Sequence, residues 1–181
     1  MDDIVKAALK KWPNVPACYG WLALDARGDW YMRDDRIQHA GPFPQVKGSA
    51  IRHDKLREFI QRNYQADAQG RWYFQNGPQQ VFVELEATPW VWRVRWADGI
   101  AHVAGHDGVP AQARDCLLDE SGRLYLTAAQ GLGIVHPQDM LDAAEAVEEG
   151  LWRPQEVPAA ELPRRYGFVR SPQAIQAAAG R

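Results

Sequence analysis

Cysteine is scarce in this chain, and its scarcity excludes two classes of small, cross-linked protein. The 181 residues contain only two cysteines, Cys18 and Cys116, which lie far apart and form no Cys-x-x-Cys spacing. A disulfide framework needs several cysteines, and a structural zinc site needs clustered ligands. The sequence therefore predicts neither of them, no metal site and no cofactor, and we expect a reduced, cytoplasmic environment.

Long apolar runs are also missing, and so is a charge excess of either sign. No stretch of about 20 apolar residues occurs, so membrane insertion is not expected. The N-terminal residues reach Lys10 and Lys11 before an apolar run of signal-peptide length accumulates, so we expect no secretion signal. The 21 basic and 23 acidic side chains give a net charge of −2, which creates no large field to attract duplex nucleic acid.

The residues that are present have the proportions of an ordinary globular protein. Apolar residues make up 46% of the chain and charged residues 24%, so order is expected nearly throughout. A chain of this length buries enough surface to fold as one domain or as two small ones. The eight tryptophans suit either a core or a stacking surface, and burial is the general expectation for so large a ring.

A short turn pattern occurs three times, at residues 25–31, 67–73 and 119–125. Each copy has an Asp, a Gly three residues later, and a Trp-Tyr or Leu-Tyr pair after one more residue. The Asp is suited to accept hydrogen bonds from the turn backbone, and the Gly to adopt a positive φ. The pattern therefore predicts a tight turn that leads into a β-strand.

A second pattern, Gly followed five residues later by His, occurs at Gly48–His53 and at Gly131–His136. Apolar residues at spacings of three and four follow both copies and predict a helix after each. The order of strand entry, loop, Gly-to-His segment and helix thus appears twice, which favours an internal duplication. The alternative is coincidence, since turn and capping residues are common in any chain.

The clearest β region lies between these copies. Val81, Val83 and Leu85 alternate with other residues, and residues 90–96 alternate in the same way, which predicts two half-buried, antiparallel strands. After Trp152 there are four prolines and little periodicity, so we expect an extended arm. It ends in a short helix over residues 173–179, where we expect truncation to be tolerated better than elsewhere. The predicted division is residues 1–80, residues 81–152 and an arm at residues 153–181.

These segments together resemble an uncharacterised proteobacterial family of unknown function. The likeness spans roughly residues 20–150 and rests on the first two turn copies, the first Gly-to-His segment with its helix, and residues 81–84 with Pro89. The resemblance implies a duplicated two-domain α+β core, with antiparallel sheets each packed with a helix and a second half similar to pleckstrin-homology folds. It also implies a cleft between the halves that holds a nucleotide-like ligand in signal transduction. The loop 33–47 and the proline-rich arm depart from that family pattern.

The strand at residues 90–96 offers the most suggestive candidates for binding. Arg93 and Arg95 share one face of it, and their planar donor groups could hold a phosphate or a carboxylate if that face lines a cleft. The alternative is an ordinary amphipathic strand whose arginines pair with Glu84 or Glu86 on the neighbouring strand. The candidate ligand-binding residues are Arg93, Arg95, Trp92, His53, His136 and Glu84.

The histidines allow more than one interpretation. His53 and His136 hold equivalent places in the two copies, so they either face a shared site or cap the helices that follow. His102 and His106 are metal-ligand types, but Gly105 and the surrounding β pattern argue against the helix that would align them. No phosphate-binding loop and no Gly-x-Ser-x-Gly nucleophile motif occurs in the sequence.

Three functions follow from this reading, in order of preference. The first is a non-enzymatic ligand-binding or sensory regulatory protein that binds a nucleotide-like anion between its two halves. The second is a protein–protein interaction module that offers the pleckstrin-like sheet to a protein partner. The third is an enzyme whose site is assembled from scattered residues such as His53, His136, Glu84 and Arg93.

Overall fold

The computed structural model describes residues 1–180 and divides them into two compact units. The first unit contains Met1–Asp25, Asp29–Glu86 and the residues from Phe168 onward, and the second contains Ala26–Gly28 and Ala87–Gly167. Apart from the short segment Ala26–Gly28, the chain leaves the first unit at Ala87 and returns to it at Phe168.

Six helices and thirteen strands make up the described residues. The helices are α1 Asp3–Lys11, α2 Asp35–Ala40, α3 Asp54–Arg62, α4 Met140–Glu148, α5 Leu162–Tyr166 and α6 Pro172–Ala179, with short 3-10 turns at Pro137–Asp139 and Ala159–Glu161. The strands are β1 Cys18–Leu24, β2 Trp30–Met32, β3 Ser49–Ala50, β4 Tyr64–Ala66, β5 Trp72–Asn76, β6 Gln79–Leu85, β7 Trp90–Ala97, β8 Ile100–Gly105, β9 Pro110–Ala111, β10 Cys116–Leu118, β11 Leu124–Ala128, β12 Gly131–Val135 and β13 Gln155–Glu156.

The first unit is built on a six-stranded sheet in the order β3-β2-β1-β6-β5-β4. Its pairs are antiparallel except β1 and β6, which run parallel with Leu22 opposite Val83 and Leu24 opposite Leu85. All four of these apolar side chains are buried. Helix α3 packs against β5, where the Phe59 and Phe74 rings meet edge to face at 5.4 Å.

The second unit is built on a seven-stranded sheet in the order β13-β10-β11-β12-β7-β8-β9. Two of its pairs are parallel, β12 with β7 and β10 with β13, and the others are antiparallel. Helix α4 packs on β7 and β8 through the fully buried Ala143 and Ala146. Two sheets that each pack with helices confirm the predicted α+β class, although simple alternation could not specify the parallel pairs.

Tryptophans fill the core of the second unit. The Trp90 and Trp92 rings stack at 5.6 Å with an interplanar angle of 6°. The Trp92 indole is 0% exposed, and its Nε1 donates to the Leu126 carbonyl at 2.8 Å. Gly133 lies directly against this ring, where a Cβ atom would overlap the indole nitrogen. The Trp92 side chain therefore belongs to the core. Because its ring has no exposed surface, the structure does not offer it as the ligand contact that the sequence predicted.

Strands β6 and β7 belong to different sheets, so the predicted antiparallel pairing of residues 81–86 with 90–96 is wrong. The reason lies in the connection between them. The Thr88 hydroxyl donates to the Trp90 carbonyl at 2.7 Å and accepts the Ile134 N–H at 2.8 Å. These bonds tie the connection to β12 of the second unit. The alternative pairing of Arg93 with Glu84 or Glu86 across neighbouring strands therefore has no basis.

The C-terminal segment is packed structure and differs from the predicted arm at residues 153–181. It contains β13, α5 and α6, and it buries Val157, Leu162 and Phe168. The periodicity of apolar residues did not predict these elements, because they are short. The predicted boundary between residues 80 and 81 falls inside β6, which belongs entirely to the first unit.

Each unit contains a hairpin of the same kind, which is consistent with a two-part, duplicated fold. In β1 and β2, Leu24 lies opposite Trp30; in β10 and β11, Leu118 lies opposite Leu124, each 94 residues later (24 to 118 and 30 to 124). The aspartate that follows the first strand of each hairpin accepts the backbone N–H four residues on, at 2.9 Å in the first copy and 3.0 Å in the second. The same local chemistry thus closes both turns.

Candidate functional site

The hairpin formed by β7 and β8 carries two of the predicted arginines on one face. Arg95 lies directly opposite His102, and Arg93 lies opposite Ala104. Residues that face each other across antiparallel strands point to the same side, as do residues two apart on one strand. Arg93, Arg95 and His102 therefore form one polar face, and all three are exposed.

Arg93 is held by a carboxylate that sequence reasoning did not include. Its Nε lies 2.6 Å from Asp139 Oδ2 and its Nη2 lies 2.9 Å from Oδ1, a two-point contact that fixes the guanidinium plane. Asp139 Oδ2 also accepts the Val94 N–H at 3.0 Å. Burial alone would raise the pKa of Asp139, but the bonds from Arg93 and Val94 outweigh it and lower the pKa below its ordinary value.

Asp139 is positioned by the turn that begins at His136. The His136 N–H donates to the Trp92 carbonyl at 2.9 Å, and its Nδ1 accepts the Gln138 N–H at 3.1 Å. The Asp139 N–H then donates to the His136 carbonyl at 2.9 Å. His136 is therefore a buried capping residue that holds the carboxylate beneath Arg93, which is the capping alternative stated above.

A concavity of about 550 Å³ lies beside this ion pair. Arg93, Arg95 and His102 line it together with Asp139 and Asp142, and its remaining wall is apolar and includes Val103, Ala104 and Pro110. Within residues 1–180, Arg95 and His102 form no ion pair. Arg95 thus presents an uncommitted guanidinium next to a partly apolar recess, which suits a ligand with one anionic group. We call this recess the Arg95 concavity.

Another concavity of the second unit has the opposite character. It measures about 590 Å³ and is lined by Asp119, Glu120 and Glu156, with Leu118, Val157 and Pro158. The Asp119 carboxylate is balanced by Arg123, and the remaining carboxylates, Glu120 and Glu156, would repel an anionic ligand. The Arg95 concavity is therefore the better match to the predicted anion.

The other two predicted residues, His53 and Glu84, lie in the first unit and serve its helices. His53 Nδ1 accepts the Leu56 N–H at 3.3 Å and caps α3. Glu84 is buried and accepts the Gln173 N–H at 2.9 Å, which anchors the start of α6. Burial raises the pKa of Glu84, and the bonds from Ser171 and Gln173 oppose that rise. Their predicted role as ligand contacts stays a prediction.

The His102–His106 segment has divergent rings. His102 is exposed, whereas the His106 ring lies 5.3 Å from Trp90 and its Nδ1 accepts the Val91 N–H at 3.3 Å. Burial lowers the pKa of His106 to about 4, so its ring is neutral at physiological pH. Across residues 1–180, no three His, Cys, Asp or Glu side chains come close enough to hold a metal ion.

The cysteines do not converge on a nucleophilic site either. Cys116 is buried in β10, and burial raises the pKa of its thiol to about 11, so it stays protonated at neutral pH.

Of the helices in the described part of the chain, none is both long enough and apolar enough to cross a bilayer.

Comparison with known proteins relates this chain to a family of unknown function. The family profile described as "Protein of unknown function (DUF2946)" matches residues 1–173. No curated protein matches the chain. The match to this family profile agrees with the resemblance to a family of unknown function that the sequence indicated.

Two solved structures are similar to the chain. One is a DUF1285 family protein from Silicibacter pomeroyi DSS-3, with 13% identity and a TM-score of 0.49 over 80% of this chain and 84% of that one. The other is a DUF1285 family protein from Shewanella baltica OS155, with 15% identity and a TM-score of 0.48 over 71% of this chain and 91% of that one. Likeness at this level concerns the fold and carries no argument about function.

Proposed function

We propose that this chain, which belongs to the family of proteins of unknown function described as DUF2946, is a non-enzymatic binding protein that holds a small anion in the Arg95 concavity. The observation that carries the proposal is that two neighbouring arginines differ in their ion-pair partners. Asp139 holds Arg93 at two points, while Arg95 and His102 lie side by side without a carboxylate partner among residues 1–180.

The charges around the concavity favour a ligand with a single anionic group. Two guanidinium groups and two carboxylates, Arg93 and Arg95 with Asp139 and Asp142, balance one another there. A balanced site selects by donor geometry more than by long-range attraction, and a guanidinium matches one phosphate or carboxylate in its plane. The apolar wall then contacts the uncharged part of the ligand. A mononucleotide has this combination of one phosphate and a planar ring.

A regulatory role in signal transduction accompanies this proposal, because the sequence resemblance implies it. The pleckstrin-like character of the second half and a ligand held between the two halves stay predictions. The proposal made here depends on residues of the second unit alone.

Titration of the full chain with mononucleotides and inorganic phosphate tests the proposal. We expect at least one of them to raise the melting temperature, since a ligand that binds only the folded state stabilises it. Arg95→Ala should weaken that ligand about tenfold, which corresponds to roughly 1.4 kcal/mol. Arg153→Ala, which removes an exposed arginine of the same unit away from the concavity, is the matched control. Equal binding by the wild type and Arg95→Ala would overturn the assignment.

One observation favours a second function, peptide addition to a sheet edge. Strand β8 has six residues, but β9 pairs with only two of them, Val103 and Ala104. The segment 100–102 is therefore an open edge, and Ile100 is 56% exposed. An extended peptide could add a strand there. Ala101→Pro removes one backbone donor of this edge, so it should block a peptide. Because Ala101 also lines the Arg95 concavity, Arg95→Ala is the variant that separates the two functions: it leaves the backbone of the edge intact and should leave peptide addition unchanged.

A further inference from the structure

The first unit contains a separate groove that the proposed function does not use. It measures about 260 Å³ and is formed by β1, β2, β5, β6, α3 and Ile51. Apart from Asn76 and Gln79, every side chain that lines it is apolar or a thiol. We call it the Trp21 groove, because Trp21 contributes the largest ring to it.

The exposure of Trp21 is produced by a bulge in the backbone. Cys18 lies opposite Val81 of β6, and Leu22 lies opposite Val83. Between these two paired positions β1 advances four residues and β6 only two. Gly20 lies within this bulge with φ of +76°, a conformation that favours glycine. A bulge redirects the side chains beside it and is frequent next to binding sites.

Contacts behind the bulge keep it in place. A Cβ atom at Gly20 would overlap the amide groups of Gln38 and Gln173. These two amides are hydrogen-bonded to each other at 2.8 Å, from Gln173 Nε2 to Gln38 Oε1. The Arg33 Nη1 also donates to the Gly20 carbonyl at 3.4 Å. The bulge is therefore a fixed feature, and Trp21 is held at the groove.

Two large apolar side chains remain open to solvent at this groove. Trp21 is 40% exposed and Met32 is 49% exposed, whereas Leu22 and Phe74, which also line the groove, are buried. Covering exposed apolar area contributes about 25 cal/mol per Å² to binding. A volume near 260 Å³ is smaller than a typical drug site, so it suits a short chain or a single ring.

Two cations are sequence neighbours of residues that line this groove. Arg52 directly follows the lining residue Ile51, and Lys55 directly precedes the lining residue Leu56. Both side chains are exposed, and neither forms an ion pair within residues 1–180. The nearby carboxylate of Asp54 is already bound to Arg57 at 2.5 Å. Three cations and two carboxylates, Asp54 and Glu58, occur in residues 52–58, so this segment beside the groove carries a net positive charge. That charge complements a ligand with an apolar body and an anionic end.

We propose that the Trp21 groove binds a small amphiphilic carboxylate, with its apolar chain against Trp21 and Met32 and its carboxylate at Arg52 and Lys55. The site shares no lining residue with the Arg95 concavity and belongs to the other unit. Its success or failure is therefore independent of the proposed function.

Fluorescence titration of the full chain with decanoate, and with decanol as an uncharged probe, tests this proposal. We expect decanoate to change the tryptophan emission in a saturable way, and Trp21→Phe to remove most of that change while seven tryptophans remain. Arg52→Glu combined with Lys55→Glu should weaken decanoate about tenfold and leave decanol unchanged. Lys10→Glu, an exposed site on α1 outside the groove, controls for the general loss of positive charge.

Three results would overturn the proposal. The first is no saturable response to either probe at concentrations below micelle formation. The second is equal weakening of decanoate by Lys10→Glu and by the double variant, which would indicate only nonspecific attraction. The third is a dimer in light scattering that dissociates in Trp21→Glu, since the groove would then be covered by a second copy of the chain.

Discussion

The two copies of the hairpin close their turns in the same way but balance the charge of the turn aspartate differently. In the second unit, Asp119 Oδ2 lies 2.7 Å from Nε of Arg123, four residues later, and accepts the Tyr125 hydroxyl at 2.8 Å. In the first unit the residue four positions after Asp25 is Asp29, which has no positive charge to offer. Lys47 takes that role, with Nζ 2.8 Å from Asp25 Oδ2.

This difference shows which part of the hairpin is local and which is tertiary. The backbone bonds of the turn are common to both copies and depend only on the Asp and Gly spacing. The partner of the carboxylate is local in the second unit, whereas in the first it comes from the loop 33–47. That loop also holds the buried Arg33, whose Nη2 donates to the Gly41 carbonyl at 2.7 Å. The loop is therefore an integral part of the first unit.

The largest expected effect is at Asp119, whose carboxylate is buried and accepts bonds from three groups besides the Arg123 guanidinium. Asp119→Ala leaves the Tyr125 hydroxyl and two backbone N–H groups without their acceptor, and it leaves Arg123 without its partner. We expect the free energy of unfolding to fall by about 3 kcal/mol. Urea denaturation measures this change, with Asp67→Ala in the more exposed third turn as the control. An equal cost for both variants would contradict the importance of burial.

The same comparison has a pH dependence. Burial alone would raise the pKa of Asp119, but the bonds from Arg123, Tyr125 and Ser121 lower it below the ordinary 3.8. A lowered pKa in the folded state gives stability that is fully present above pH 3.8 and is lost as the pH falls through the folded value. The difference between the wild type and Asp119→Ala should therefore shrink on acidification below that pH.

A smaller effect is expected at Lys47, together with a rescue. Lys47→Ala removes the charge beside the buried Asp25, and we expect the free energy of unfolding to fall by about 2 kcal/mol. Adding Asp29→Arg places a guanidinium where Arg71 and Arg123 stand in the other two turns. The double variant should regain about half of the loss in urea denaturation. Asp29→Arg in the wild type is the control, and a double variant no more stable than Lys47→Ala would argue against the equivalence of the turns.

The smallest expected effect separates the two capping histidines. His136 is buried and its cap bond is 3.1 Å, whereas His53 is exposed and its bond is 3.3 Å. Replacement by Ala should cost about 1 kcal/mol at His136 and about 0.5 kcal/mol at His53. Thermal melts compare the two, and His39→Ala on the exposed surface is the control. A larger cost at His53 than at His136 would reverse the ranking that burial predicts.

Local patterns predicted the features that depend on neighbouring residues. The Asp-x-x-Gly spacing located three turns, because these turns are closed by bonds within a few residues. The Gly-to-His segments located the start of α3 and, in the second unit, the 3-10 turn at Pro137–Asp139 that leads into α4. The alternation at 90–96 placed Arg93 and Arg95 on one exposed face and the tryptophans on the other, where Trp90 and Trp92 are buried and Trp96 is half-buried.

Features that depend on distant residues were not predictable in this way. The partner of Arg93 is Asp139, which is 46 positions later, and the only signal for it is an acid shortly after His136. The separation of β6 from β7 depends on the Thr88 hydroxyl bonding to Ile134. The packing of α6 depends on Glu84, which is 89 positions before Gln173. The expected tolerance of truncation at residues 173–179 did not take this buried anchor into account, and it stays a prediction.

In each unit a third strand, β3 or β12, follows the hairpin and pairs with its second strand, and the connection to that strand differs greatly in length between the units. In the second unit β11 and β12 are joined across Ala128 and Gly131, which pair with each other. In the first, β2 and β3 are separated by α2 and the loop that carries Arg33 and Lys47. One scaffold thus accommodates both a minimal connector and a structured insertion at the same place. The turn at Ala129 and Gln130 is consequently a natural site for grafting a foreign loop, and a protein engineer could start there.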